Sequence, residues 1–329
     1  MNGFDFRGRR VLVAGGTGLI GIPLVRALIE EEGAEVRIAS LDHPSRAHPA
    51  ADFRKADLLR YDCCQWACVE MDYVFNLLCV KGSPKTMCEK PATMFDINLL
   101  LDVNLLRAAK AAGVQGYLLA SSLAVYAQGQ NLEDSVWENT YPSRNDWYAG
   151  WAKRMGELQA GAYANEYGWD GISIVRPTNT YGPYDDFESE AAMVVPSLIR
   201  RVVSGEDPLR VWGDGSEIRD FLFAEDVARG MILVAKLGEQ KPVNLGSGIG
   251  VSIRELVSMI VACAEARCQI EWDISQKAGD HKRVLNTERA RALGFRPRIS
   301  LKDGIRKTVE WYRTHREEST RFNFFSEKR

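Results

Sequence analysis

The sequence predicts an α/β fold: a doubly wound parallel sheet with a smaller C-terminal lobe. Three observations predict it. A short apolar run, "RRVLVAGG", leads into the glycines of "AGGTGLIG" close to the N-terminus. Apolar runs then alternate with helical patterns as far as Pro177, as they do where right-handed crossovers build a parallel sheet. Beyond Pro177 the texture changes to turn-rich, polar sequence with short strands.

Each element follows from its local pattern. "RRVLVAGG" is uniformly apolar between charged and glycine residues, which suits a strand buried on both faces. A helix is expected from about Ile20 to Glu31, ended near Gly33, followed by the strand "EVRIAS". Strands near "FRKADL" and "MDYVFNLL" come next, then a helix from Ala92 to Ala112 stopped by Gly113. The strand "GYLLASS", a helix holding Lys153 and the strand "GISIVRP" complete this half. Past Pro177, "SLIRRVVSG" reads as helix and "LRVWG" and "RDFLF" as short strands. "AEDVARGMILVAK" is an amphipathic helix with acids in its first turn, and "KPVNLGSG" can return a strand to the main sheet. Helices near Ile253 to Glu265 and Leu301 to His315 end the lobe.

Composition sets the outer limits. The chain has 329 residues, room for one large α/β unit or one with a smaller partner. Its 42 basic and 44 acidic residues leave a net charge of −2, so no overall nucleic-acid or membrane footprint is expected. No apolar run approaches the ~20 residues of a membrane span, and the N-terminus enters a strand without a signal-like segment. A cytoplasmic protein is expected. Cys63, Cys64, Cys68, Cys79 and Cys88 cluster without a Cys-x-x-Cys pair, which reads as free thiols in a reducing compartment. The four histidines show no ligand spacing, so no metal is expected.

"AGGTGLIG" places Gly15, Gly18 and Gly21 between a strand and a helix. A tight turn and close approach of a pyrophosphate both require missing side chains, and the helix N-terminus adds free N–H groups and a positive dipole end. This predicts a dinucleotide site. The cofactor's identity stays open: Asp42 suits the free ribose hydroxyl of NAD, whereas Ser40, with Arg46 beyond, suits the 2′-phosphate of NADP. Residues 1–176, with a returning segment near 223–246, are therefore assigned to a dinucleotide-binding domain. Residues 177–222 and 247–329 form the lobe. Cofactor contacts are expected from Gly15, Thr17, Gly18, Leu19, Ile20 and Gly21, then Ser40, Asp42, Asp57, Leu58, Leu78, Lys153 and Pro177.

"LLASSLAVYA", followed some 30 residues later by "WYAGWAKRMGE", resembles the extended short-chain dehydrogenase/reductases of the epimerase/dehydratase type, which have a Rossmann-type sheet. With "GGTGLIG" the resemblance runs over nearly the whole chain. It implies that Ser122, four before Tyr126, contacts the substrate oxygen, and that Lys153 assists a tyrosine four residues before it. Residues i and i+4 share a helix face, so a lysine there favours phenolate and lowers a phenol pKa of ~10. The tyrosine can then pass a proton while hydride moves to or from nicotinamide. Here that position is Ala149. Tyr148 stands one residue earlier, about 100° around the helix, and should point away. A tyrosine-to-alanine substitution in a parent reading "WYYGWAK" keeps every other family residue in register. Use of Tyr148 through a distorted first turn, or a natural chain without the acid, are the alternatives.

"RPTNTYGPYDDF", "VVPSLIRR", "VWGDGSEIRDFLFAEDVA" and "VNLGSG" resemble the nucleotide-sugar branch, most of all the GDP-L-fucose synthases. The resemblance implies diphosphate contacts from Asn179, Arg219 and Arg283, with Val195 and Trp212 near the nucleotide. Ser122 and Leu123 should meet the sugar. Lys81 either contacts sugar or nicotinamide or is a solvated loop residue. Two departures narrow the chemistry. GDP-L-fucose synthases carry a cysteine and a histidine for C3/C5 epimerisation where this chain has Ala124 and Met193, and 4,6-dehydratases carry an Asp-Glu pair where it has Leu123 and Ala124. What remains is hydride transfer at one carbon, most simply C4, of a nucleoside-diphosphate sugar with GDP favoured. Reduction of a 4-keto sugar stands ahead of epimerisation through a transient ketone with retained NAD. The reading of another class is a non-catalytic nucleotide-binding module. The resemblance also implies a homodimer through a four-helix bundle of the Ala92 and Lys153 helices, where Leu99, Val103 and Leu106 fit that contact or packing on the sheet equally well.

Overall fold

The computed structural model of the chain describes residues 3–80, 89–189, 192–276, 279–319 and 322. Seven parallel strands form the central sheet: β1 (Arg10–Ala14), β2 (Glu35–Ser40), β3 (Asp52–Lys55), β4 (Tyr73–Asn76), β5 (Gly116–Ala120), β6 (Ile172–Pro177) and β11 (Val243–Leu245). Their spatial order is β11-β6-β5-β4-β1-β2-β3, so the winding reverses between β1 and β4. In such sheets ligands bind at that reversal, outside the carboxyl ends of the strands.

Helices cover both faces. On one side α1 (Gly21–Glu30) and α6 (Ala224–Leu237) bury Leu24, Leu28, Val227 and Met231 against Val13, Phe75, Leu118 and Val175. On the other, α2 (Tyr61–Cys68), α3 (Pro91–Ala111) and α4 (Trp147–Tyr167) bury Cys64, Leu101, Leu105 and Ala160 against Leu12, Val74 and Leu119. Each large apolar side chain so buried contributes about 1.5–3 kcal/mol, which makes these two layers the rigid base of the site. The sequence pattern did not single out α2. Cys64 and Cys68 are buried in it, and desolvation pushes both thiols up to about 12.

The lobe has its own core. β7 (Asn179–Tyr181) pairs with β10 (Phe221–Phe223), and α5 (Val194–Val203), α7 (Ile253–Cys263) and α9 (Leu301–Thr314) pack around Tyr181, Phe187, Phe221 and Phe223. β8 (Leu209–Trp212) pairs with β13 (Ile270–Asp273); β9 (Ile218–Arg219) lies between β12 (Val251–Ser252) and β14 (Lys282–Arg283), with α8 (Glu288–Ala292) after it. The returning strand β11 lies beside β6. Leu106 points into the core, while Leu99 and Val103 are only partly covered. Among the described residues no helix is long and apolar enough to cross a membrane.

Candidate active site

A cavity of ≈ 360 Å³ opens where the winding reverses, between the strand ends and the lobe. The glycine turn forms one wall. Gly15 has φ +82°, a left-handed conformation that favours glycine, and a Cβ at Gly21 would lie 2.3 Å from the Gly15 carbonyl oxygen. No larger residue fits at Gly21 without opening the turn. Ile20, at the start of α1, supplies no capping side chain, and the first turn holds no acid. The Ile22 N–H already donates to the Gly18 carbonyl and Pro23 has none, so what the turn offers an anion is the positive end of the α1 dipole, at the cavity wall formed by Gly18, Leu19, Ile20 and Gly21.

Ser40 and Asp42, past the end of β2, line the next part of the wall, followed by Asp57 and Leu58. Thr17 does not reach the cavity. It is buried behind it, its hydroxyl 2.6 Å from Ser40 Oγ and donating to Asp42 Oδ2 at 2.8 Å, so the hydroxyl orients the carboxylate. The Arg46 guanidinium turns away, donating to the carbonyl oxygens of Thr17 and Tyr184.

The reacting end is built from β5, α4 and the end of β4. Ser122 caps a short 3-10 turn, its Oγ accepting from the Ala124 N–H at 3.1 Å, which fixes the hydroxyl at the cavity edge. Lys153 is 2% exposed. Its Nζ donates to the Leu78 carbonyl at 3.0 Å and to both oxygens of Asp102, at 3.1 and 3.3 Å. Burial works against the ammonium, but the anionic groups around it, Asp102 first with Cys79 and Glu157 adding to it, together hold the Lys153 pKa above its ordinary value, while burial pushes the Asp102 carboxyl up as well. Ala149 lines the cavity one turn before Lys153. Tyr148 is 47% exposed, and α4 is already helical from Trp147, so no distorted first turn brings its phenol inward. Tyr126 is also committed: its hydroxyl donates to Asn244 Oδ1 at 2.6 Å and accepts from Arg176, and burial pushes its pKa up to about 12.

Beneath this end lies a buried ion pair that the sequence did not announce. Arg176 donates to Glu157 Oε1 at 2.8 Å and to Oε2 at 2.6 Å, and the Ser121 hydroxyl donates to the same carboxylate at 2.5 Å. Asp102 was missed too. The visible hint was an aspartate inside the apolar helix sequence "NLLLDVNLL".

On the lobe side Asn179, Val195, Pro177 and Arg283 line the cavity, as do Leu78, Leu123, Ala124 and Met193. Arg283 is ion-paired with Asp146 and Asp280 and donates to the Leu123 carbonyl at 3.2 Å. Asn179 donates to the Asp220 carbonyl at 2.9 Å. Two expected contacts are not brought to the cavity. Burial alternates along β8 and turns Trp212 outward, leaving it 47% exposed. Arg219 lies near Gly279, donating to the Ile218 carbonyl, and burial together with Arg283 lowers its pKa. Lys81 lies outside the described residues. Among the described residues no group of three or more His, Cys, Asp or Glu side chains gathers as a metal site.

The profile of the NAD dependent epimerase/dehydratase family matches residues 11–246. GDP-L-fucose synthase 1 of Arabidopsis thaliana is 30% identical over 92% of this chain and 93% of its own length. A dTDP-4-dehydro-6-deoxy-D-allose reductase from Streptomyces sp. is 28% identical over 94% of this chain and 98% of its own length. Among solved structures, the UDP-glucose 4-epimerase of Thermus thermophilus in complex with NAD superposes with a TM-score of 0.80 at 28% identity, covering 93% of this chain and 99% of that one. A glycine turn on a doubly wound sheet, a buried cavity lysine one turn after Ala149, and similarity along nearly the full length all agree: the chain belongs to the NAD dependent epimerase/dehydratase family of enzymes.

Proposed function

We propose that the chain acts on a nucleoside-diphosphate sugar, GDP-linked by preference, by hydride chemistry at C4, and that its direction is reduction of a 4-keto sugar. The carrying observation is Lys153, held charged at the cavity wall with Ser122 and position 149 lining the same cavity. The cradle at Gly15 and Gly21 fits a dinucleotide pyrophosphate. When bound, the nicotinamide gives up or accepts the hydride. Lys153 keeps a positive charge beside the phenol position, Ser122 orients the sugar oxygen, and Arg283 with Asn179 receives the diphosphate. Ala149 supplies no proton, so on this reading turnover is impaired until a tyrosine stands there. Ala124, Met193 and Leu123 all line the cavity, and none can exchange a proton. This supports chemistry at a single carbon over C3/C5 epimerisation or dehydration. Incubating the Ala149→Tyr protein with reduced cofactor and a GDP-4-keto-6-deoxy sugar should oxidise the cofactor. Zero turnover after that repair would favour a non-catalytic nucleotide-binding module.

Asp42 supports NAD over NADP, because its carboxylate lines the cavity and would repel a 2′-phosphate, while the Arg46 guanidinium bonds elsewhere. The substitution Asp42→Ala should shift the NADP-to-NAD affinity ratio by roughly tenfold, about 1.4 kcal/mol. Titration of both cofactors checks this, and an unchanged ratio removes Asp42 from the ribose. The same carboxylate favours a second reading, C4 epimerisation with retained NAD. Sugar isomers appearing without net cofactor oxidation would select it.

A homodimer through α3 and α4 is part of the proposal. At helical spacing on α4, Tyr148 and Leu158 are exposed and Trp151 and Met155 half-buried, and Leu100 is exposed on α3. Leu158→Arg should turn a dimer into a monomer by light scattering. A dimer of unchanged mass would exclude this face.

A further inference from the structure

Lys153 has a dedicated positioning residue. We propose that Asp102 keeps the Lys153 ammonium charged and fixed against the Leu78 carbonyl, so that the lysine presents a permanent cation to the reacting end of the cavity. The proposal rests on the reading above for the role of Lys153, but its geometry stands by itself. Both side chains are almost fully buried, at 3% and 1% exposure, and both carboxylate oxygens lie within hydrogen-bond distance of Nζ. Two further residues are shaped around this contact. Asn76, itself fully buried at the end of β4, donates to Asp102 Oδ1 at 2.8 Å and fixes the carboxylate plane. On α4, Gly156 makes room: a Cβ there would stand 2.9 Å from Asp102 Oδ2 and 3.3 Å from its Cβ and Cγ. A glycine inside a 21-residue helix costs about 1 kcal/mol relative to alanine, so its place opposite Asp102 needs a reason, and the carboxylate provides one.

The alternative to this pair is an unpaired ammonium in a dry site. Such a lysine loses its proton near neutral pH, because burial disfavours the charged form. A neutral Lys153 would still donate hydrogen bonds but would no longer lower the pKa of a phenol one turn away. Asp102 therefore sets the pH range in which the lysine is of use. Among the described residues the other titratable groups facing Lys153 are Cys79 and Glu157, which act in the same direction behind Asp102, and Glu157 is itself ion-paired with Arg176. Asp102 is the counter-charge.

Competitive acylation of lysines with acetic anhydride across pH, read peptide by peptide in the mass spectrometer, tests this in the full chain. Lys153 should stay protected up to the alkaline range. In Asp102→Asn it should become reactive at neutral pH, its free-amine fraction rising about tenfold for each unit by which its pKa falls and its acylation rate by somewhat less. An unchanged Lys153 profile in a folded Asp102→Asn protein overturns the proposal. Uniform labelling of every lysine would mean that the variant has unfolded. In that case Gly156→Ala decides: it crowds the carboxylate without removing it and should shift Lys153 reactivity in the same direction by a smaller amount. No shift there overturns the proposal equally. The labelling needs neither cofactor nor substrate, so its failure is distinct from failure of the hydride-transfer reading. In the Ala149→Tyr background, Asp102→Asn should also add a fall in kcat at high pH of about tenfold per pH unit, which a purely structural loss would not produce.

Discussion

Ala149→Tyr is expected to raise turnover by about two to four decades, the worth of a positioned acid–base group. The reason is local. Ala149 lines the cavity, and α4 is regular across it, so a tyrosine there would project from the face that carries Lys153 one turn later. The lysine is already buried and charged, and Ser122 already lies at the cavity edge, so only the phenol is missing. The gain should be in kcat, since a proton-transfer group acts mainly in the transition state. Steady-state rates of the two proteins at saturating substrate check this. Loss of activity on Tyr148→Phe, with no gain from Ala149→Tyr, would transfer the role to Tyr148 against its exposed position. Phenol added to the unmodified chain should restore a small part of the activity, since position 149 leaves space where the side chain would stand.

Glu157→Gln should lower stability by about 3–5 kcal/mol, because it strands the Arg176 guanidinium, 0% exposed, without its counter-charge. The pair joins α4 to β6, and Ser121 ties β5 to the same carboxylate. Chemical unfolding in urea measures the loss. Replacing both members by apolar residues, Glu157→Leu with Arg176→Met, should recover much of it, since desolvation of both ions is then avoided. A single substitution that unfolds like the unaltered chain would show that solvent reaches the pair. Because Ser121 and Pro177 directly neighbour this pair, activity in the repaired background should fall along with stability.

The parts of the site legible in the sequence are those where chemistry demands a residue type at short range. Gly15 and Gly21 are forced by the turn itself, while Lys153 and position 149 were marked by the family resemblance, and helix periodicity puts them on one face. The alternation of runs likewise predicted the central sheet, and even the return of β11. What could not be read depends on pairings distant in the chain. Asp102 meets a lysine 51 residues away: its place inside the apolar "NLLLDVNLL" hints at burial, but nothing local names the partner. Trp212 faces outward for another reason: β8 has only four residues, and its facing is set by pairing with β13, far along the chain. Thr17 sits inside the expected motif, yet its hydroxyl is buried behind the wall and donates to Asp42.

The place of β11 bears on how the chain is made. The edge of the main sheet beside β6 is completed by Val243–Leu245, and Asn244 there takes the Tyr126 hydroxyl and reaches the Asn131 and Asn286 carbonyls. During synthesis the first six strands leave the ribosome while this edge is still unpaired, and it stays so until the intervening lobe segment has emerged. At about 5–20 residues per second that wait lasts several seconds. An open strand edge is a template for mispairing, so the nascent chain should depend on chaperones most in that interval. A ribosome-bound chain stalled before residue 243 should be sensitive to protease around β6, and one released past it should not.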